Sequence, residues 1–234
     1  MNNLLRTSTD EQEENHWLSV SDLMAGLMMV FLFMSIALMR NAFVERDKIK
    51  EIAVAYQENQ VSIYNALNDE FGDDLKKWDA AIDEETLTFT FKSPEVLFKT
   101  GEIELSQTYK TLLNDFCPRY MEALKPFYSS INEVRIEGHT SSVWNRYVSK
   151  QEAYFNNMEL SQGRTRAVLD YVYSLKSSTP YRSWINGHIA AVGLSSSKPM
   201  LKKDGTEDHA ASRRVSFRVI TNSDIQIKRI LEGA

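Results

Sequence analysis

Leu18 to Met39, LSVSDLMAGLMMVFLFMSIALM, is an apolar run of 22 residues holding a single charged side chain, Asp22. As a helix rising about 1.5 Å per residue it spans roughly 33 Å, the thickness of a bilayer's hydrocarbon core. A carboxylate in such a helix costs free energy, and ionisable residues kept there are by default ion or proton relays. A blander reading stands beside it. Asp22 lies only four residues into the run, and together with Ser19 and Ser21 it suits a helix N-terminus, where side-chain oxygens cap free N–H groups and the dipole favours negative charge. Ala25 and Gly26 follow one turn later near the same face, then Met29, and small residues let a second helix approach closely.

The remainder of the 234-residue chain is ordinary water-soluble sequence, 25% charged, so one soluble domain hung on one membrane helix is expected. The net charge of −5 argues against direct nucleic-acid binding. A lone cysteine, Cys117, forms no internal disulfide and reads as a small buried hydrophobe. The four histidines show no ligand spacing, so no metal site and no resident cofactor is expected. The residues before the apolar run, TSTDEQEENHW, are acidic where a cleaved signal peptide needs a basic start, which favours a retained anchor. Arg40, Arg46, Lys48 and Lys50 follow the run, against Arg6 before it. Taken alone, the positive-inside rule places the C-terminal part in the cytoplasm.

Hydrophobic spacing divides the chain into a short tail (1–16), a transmembrane helix (17–39) opened by the interfacial Trp17, a helical linker or stalk (40–80), a folded domain (81–225) and a C-terminal tail (226–234). In the linker, Ile49, Ile52, Tyr56, Ile63, Leu67 and Phe71 recur at helical spacing, and Gly72-Asp73-Asp74 marks a break. The alternation of TLTFTF (86–91) predicts a strand. Ser106 to Leu124 and 160–175 predict helices; 134–140, 189–194 and 213–220 predict strands. The fold class is therefore α+β, a two-layer sandwich with two helices on one face of a small mixed sheet.

The segment WLSVSDLMAGLMMVFLFM resembles the membrane helix of the MotB family of stator subunits: Trp17, five residues on Asp22, then Met24, Ala25–Gly26, Met28–Met29, Phe31 and Phe33. The family's usual Thr is Ala25 here. The resemblance implies that Asp22 carries the translocated ion, H+ or Na+.

Residues 85–220 resemble OmpA-like peptidoglycan-binding domains through four motifs in family order. These are TLTFTFKSPEVLFKTGEIELSQTYKTLL, IEGHT (136–140), NMELSQGRTRAV (157–168) and Ser212-Arg213-Arg214-Val215. The resemblance implies a wall-binding site with Arg164 as the ligand-gripping guanidinium, Asn157 and Leu160 at signature positions, Thr140 and Ser141 at the strand end, and Arg213 at the closing motif. A guanidinium can hold a stem-peptide carboxylate through two parallel hydrogen bonds. The family's amine-pairing Asp is Ser141 in this chain, its Tyr is Asn156, and SSVWNRYVSKQEAYFN is inserted before Asn157; an acid such as Glu152 is one candidate to supply the missing charge.

A membrane Asp joined to a wall-binding domain resembles the small stator subunit of ion-driven envelope motors. The short acidic tail and the altered wall signature are more similar to the ZorB family of Zorya anti-phage systems than to flagellar stators. That resemblance implies a homodimer inside a ring of a ZorA-like multi-helix partner, and a single-pass inner-membrane protein with a cytoplasmic N-terminus and a periplasmic C-terminal domain, overriding the positive-charge count. A passive wall tether is the rival reading. No Cys/His pair, zinc-ligand spacing or nucleophile elbow points to an enzyme.

Overall fold

The computed structural model describes residues 4–92, 97–99 and 101–222, with 4–16, 18 and 19 as backbone only. The chain divides into two compact units, Met1–Ala53 and Val54–Ala234. Helix α1, Leu4–Phe71, contributes to both.

The first unit is helical and carries the apolar run. From Val20 to Lys50 every side chain is exposed, including Leu23, Met28, Phe31, Phe33 and Leu38. This helix is long and apolar enough to cross a membrane. An apolar surface of this size left open to water is unfavourable; in lipid it is at home. A Cβ added at Gly26 would meet nothing within 4 Å, so the Ala25–Gly26 patch is open to another helix.

The second unit is a mixed sheet with helices packed on it. Its elements are β1 Ala80–Asp83, β2 Thr88–Phe91, α2 Gln107–Leu124, β3 Ile131–His139, α3 Lys150–Ser174, α4 Arg182–His188, β4 Ile189–Gly193, α5 His209–Ser212 and β5 Arg214–Thr221. Strand order is β1-β2-β5-β3-β4; β3 and β4 run parallel and all other neighbours are antiparallel. Register explains the two faces. Phe89, Phe217 and Ile136 align across β2, β5 and β3, and all are buried. One residue along, Thr88, Arg218 and Arg135 align on the opposite, polar face, as the period-2 alternation of strands requires.

Phe116 on α2 is the hub of the core. Its ring centroid lies 4.8 Å from Phe89, 4.9 Å from Tyr120, 5.0 Å from Phe217 and 5.2 Å from both Phe71 and Phe91. Cys117 beside it is buried, and burial pushes its thiol pKa up. Three of the linker residues marked by helical spacing, Ile63, Leu67 and Phe71, are fully buried in this same core. Arg119 on α2 fastens that end of α1: Nε donates to Glu70 Oε1 at 2.6 Å, Nη1 to Asp74 Oδ2 at 2.8 Å and Nη2 to the Glu70 carbonyl at 2.7 Å, with the guanidinium 4.8 Å above the Phe71 ring. Helix α1 ends at Phe71, where Gly72 was expected to break it.

Helix α3 and strand β1 differ from the sequence expectations, and the short helices α4 and α5 were not expected. Helix α3 begins at Lys150, so residues 150–156 of the insertion are helical. Ser149 and Glu152 form a reciprocal capping box there, Ser149 N–H donating to Glu152 Oε2 at 2.8 Å and Glu152 N–H to Ser149 Oγ at 3.2 Å. The edge strand β1 was not foreseen; AAID is too short to show alternation and is strand only through pairing with β2.

Gly138 on β3 sits hard against α3. A Cβ there would lie 2.7 Å from the Ser161 carbonyl oxygen and 2.8 Å from Thr165 Cγ2. Backbone cannot retreat as a flexible side-chain tip can, so Gly138→Ala is expected to destabilise the domain by about 2–3 kcal/mol, read as a lowered Tm of the detergent-solubilised chain.

Candidate functional site

Strand β3 ends at His139, helix α3 starts eleven residues later, and β5 begins after the short α5; these converge at one end of the sheet's strands. Between them lies an open cleft of about 680 Å³. Thr140, Ser141, Asn157, Leu160, Arg164 and Arg213, the six residues singled out by the wall-binding resemblance, all line it.

Arg164 projects from the second turn after Asn157 and is 8% exposed. Its Nε donates to the Glu102 carbonyl at 2.9 Å and its Nη2 to the Lys99 carbonyl at 3.2 Å, while the guanidinium stacks 4.8 Å over the Phe98 ring. Nη1 has no hydrogen-bond partner among the described residues. Burial, and then the nearby positive charge of Arg213, lower the Arg164 pKa from 12.5 to about 10. Among the described residues Arg164 has no carboxylate partner, and a buried cation in that state is stabilised by an arriving anion.

The other residues shape the cleft. Asn157 is buried, and its Nδ2 donates to the Ser141 carbonyl at 3.1 Å, so it holds the β3 exit loop. Ser195, fully buried and in the left-handed region at φ 49°, fastens the same edge: its carbonyl accepts from Thr140 N–H at 2.9 Å, its N–H donates to Ser161 Oγ at 3.1 Å and its hydroxyl donates to the Tyr154 carbonyl at 2.7 Å. Leu160 and Phe98 give the cleft an apolar wall. Arg214, next to Arg213, turns away and donates to the carbonyls of Ser212 and Lys198.

The candidate acid Glu152 is engaged elsewhere, in the capping box at the exposed start of α3, and does not line the cleft. Glu207, which sequence reasoning missed, is the acid that organises the site. Its Oε1 accepts from Ser142 N–H at 3.0 Å, its Oε2 accepts from the Ser142 hydroxyl, and His209 Nδ1, on a cleft-lining residue, lies 3.3 Å from Oε2. Burial raises its pKa, but the Ser142 bonds and the His209 charge outweigh this and hold it below the ordinary carboxylate value. No local signal links residues 65 positions apart. His209, Phe98 and Trp144 also line the cleft and were missed for the same reason. Among the described residues, no group of three or more His, Cys, Asp or Glu forms a metal site.

Behind the cleft, on the polar sheet face, His139 and Glu137 form a buried pair with Nε2 and Oε2 3.5 Å apart. Burial, with help from Arg214 and Lys198, lowers the His139 pKa below its ordinary 6.5 despite Glu137. For Glu137 burial works upward, but His139, Lys198 and Arg218 carry it below 4.5. Both native groups resist protons that the unfolded chain accepts, so stability is present near neutrality and lost as pH falls through 6.5 and then 4.5. The slope is at most about 1.4 kcal/mol per pH unit for each group. Denaturation series from about pH 7.5 to about pH 3.5 should show it, and His139→Gln should flatten the upper part.

The OmpA family model matches residues 97–213. Over 222 residues the chain is 54% identical to the Zorya protein ZorB of Escherichia coli (Crooks), covering 95% of this chain and 94% of that one. Among solved structures it is similar to a MotB-like protein from Desulfovibrio vulgaris, with 25% identity, TM-score 0.49, and coverage of 73% of this chain and 94% of that one. The periplasmic domain of Helicobacter pylori MotB is similar at 16% identity and TM-score 0.40, covering 62% of this chain and 84% of that one.

Proposed function

Because the chain belongs to the family of the Zorya protein ZorB and carries an OmpA-family domain, we propose that it is the wall-anchored subunit of an ion-driven membrane motor acting in anti-phage defence. One observation supports this above the others: the chain joins a membrane-crossing helix bearing the lone carboxylate Asp22 to a domain whose cleft gathers Arg164 and Arg213.

Asp22 takes up a proton or sodium ion from one side and releases it to the other. Neutralised, the carboxylate is cheap to hold against a partner helix; charged, it is not. Ala25 and Gly26 let that partner approach. The partner is a ZorA-like multi-helix subunit forming a ring around two copies of this chain. The N-terminus is cytoplasmic and the domain periplasmic, because an OmpA-like cleft finds its ligand there; the basic residues after the helix run against this orientation. Arg164 grips a carboxylate of the peptidoglycan stem peptide, so the dimer is held to the wall while the ring turns.

Full-length chain co-reconstituted with its multi-helix partner in proteoliposomes tests the reading. Ion flux down an imposed gradient is expected only when both subunits are present, and the solubilised complex should co-sediment with purified sacculi. Sedimentation without any flux would leave a passive tether.

A further inference from the structure

Resting on the wall-binding reading of the cleft, we propose that Trp144 forms a second subsite that stacks on a sugar ring of the glycan strand, beside the stem peptide held at Arg164. Trp144 lines the same cleft as Arg164 and Arg213 yet is 38% exposed, and Val143 next to it is 56% exposed. No other aromatic ring packs on Trp144 among the described residues, and part of the indole stays open to solvent.

The loop that displays Trp144 is pinned rather than loose. Its start is held by Asn157 through the Ser141 carbonyl and by Glu207 through both polar groups of Ser142. In the middle, Asn145 Oδ1 accepts from Tyr147 N–H at 2.8 Å. At its end Ser149 caps α3. Four anchors on nine residues (141–149) fix an apolar indole at a cleft mouth, where leaving it in water gains nothing. Such pre-organisation lowers the entropy lost on binding.

The ligand's chemistry matches the two halves of the cleft. A stem peptide presents carboxylates, which suit Arg164 and Arg213. It is joined directly to a pyranose, whose axial C–H groups form an apolar face rimmed by hydroxyls. A flat indole buries that face with few rotatable bonds to freeze, and its Nε1–H can donate to a hydroxyl. The cleft volume of about 680 Å³ falls within the usual range for small-ligand sites, enough for a sugar ring together with the first peptide residues.

The test compares two probes, the free stem peptide and the same peptide on its disaccharide, by calorimetry with the full-length chain in detergent. The wild type should bind the disaccharide form roughly 5- to 10-fold more tightly. Trp144→Ala should erase that preference, so that the variant binds the disaccharide form no more tightly than it binds the free peptide, and Trp144→Phe should keep most of it. Equal affinity of the wild type for both probes, or a preference that survives Trp144→Ala, overturns the subsite and leaves the wall-binding reading standing. Failure of the wild type to bind either probe overturns the wall-binding reading and the subsite with it.

Discussion

Asp22→Asn is expected to reduce ion flux through the co-reconstituted complex to background and to abolish phage protection, with the protein still inserted and still paired with its partner. The amide is nearly isosteric with the carboxyl, and because α1 already begins at Leu4, Asp22 is no N-cap and the helix loses no cap with it, contrary to the capping reading of the sequence. If Asp22 is only a passive side chain of α1, the substitution is close to silent. If it carries the ion, the amide cannot take up or release a proton, and it offers sodium no charge. One substitution therefore separates the two readings that the sequence leaves open. The measurements are flux in proteoliposomes, plating efficiency of phage, and co-purification of the partner as the control for assembly. Full transport by the Asn variant would remove the motor reading. Asp22→Glu keeps a titratable group and should retain partial flux, since the longer side chain displaces the carboxyl by about one methylene.

The second large effect is expected at Arg164. Arg164→Ala should lower affinity for sacculi by at least about 100-fold, because a bidentate, partly buried guanidinium–carboxylate contact is worth several hydrogen bonds to neutral partners. The same substitution leaves the carbonyls of Glu102 and Lys99 without their donors and uncovers the Phe98 ring. A stability loss of about 1–3 kcal/mol should accompany it. Arg164→Lys distinguishes grip from scaffold. An ammonium can still satisfy one carbonyl and keep the charge, but it lacks the planar fork. Binding should fall well below wild type while Tm recovers most of the Ala loss. Sedimentation of both variants with sacculi at wild-type levels would move the binding site elsewhere.

Much of the domain was legible because its strands alternate cleanly. Phe89 and Phe91 point inward, and Thr88 and Thr90 outward, and the sequence reads that way. Ser106 stands where an N-cap belongs, and in the fold its hydroxyl accepts from Tyr109 N–H. The start of α3 is equally written in the chain, as Ser149-Lys150-Gln151-Glu152, a capping-box pattern inside the segment that departs from the wall-binding family. The cleft residues carried by short motifs were found: Arg164, Asn157 and Leu160 fall within one helix, and Thr140 and Ser141 at one strand end. What escaped were the contacts made by chain closure. Glu207 meets Ser142, Ser195 meets Thr140, and Arg119 meets Glu70 and Asp74. Each is an ordinary polar residue whose partner lies dozens of positions away, and only the packed sheet brings the two together.

The last turns of α1 belong to the folded domain: Ile63, Leu67 and Phe71 sit among its rings, and Arg119 bolts Glu70 and Asp74 in place. Tension reaching these last turns of α1 is thus delivered straight into the packed core. Trimming the gene at Gly72 to obtain the domain by itself would excise part of that core, so a soluble fragment for crystallisation has to begin upstream of Asn59, whose Oδ1 accepts from the Ser130 hydroxyl.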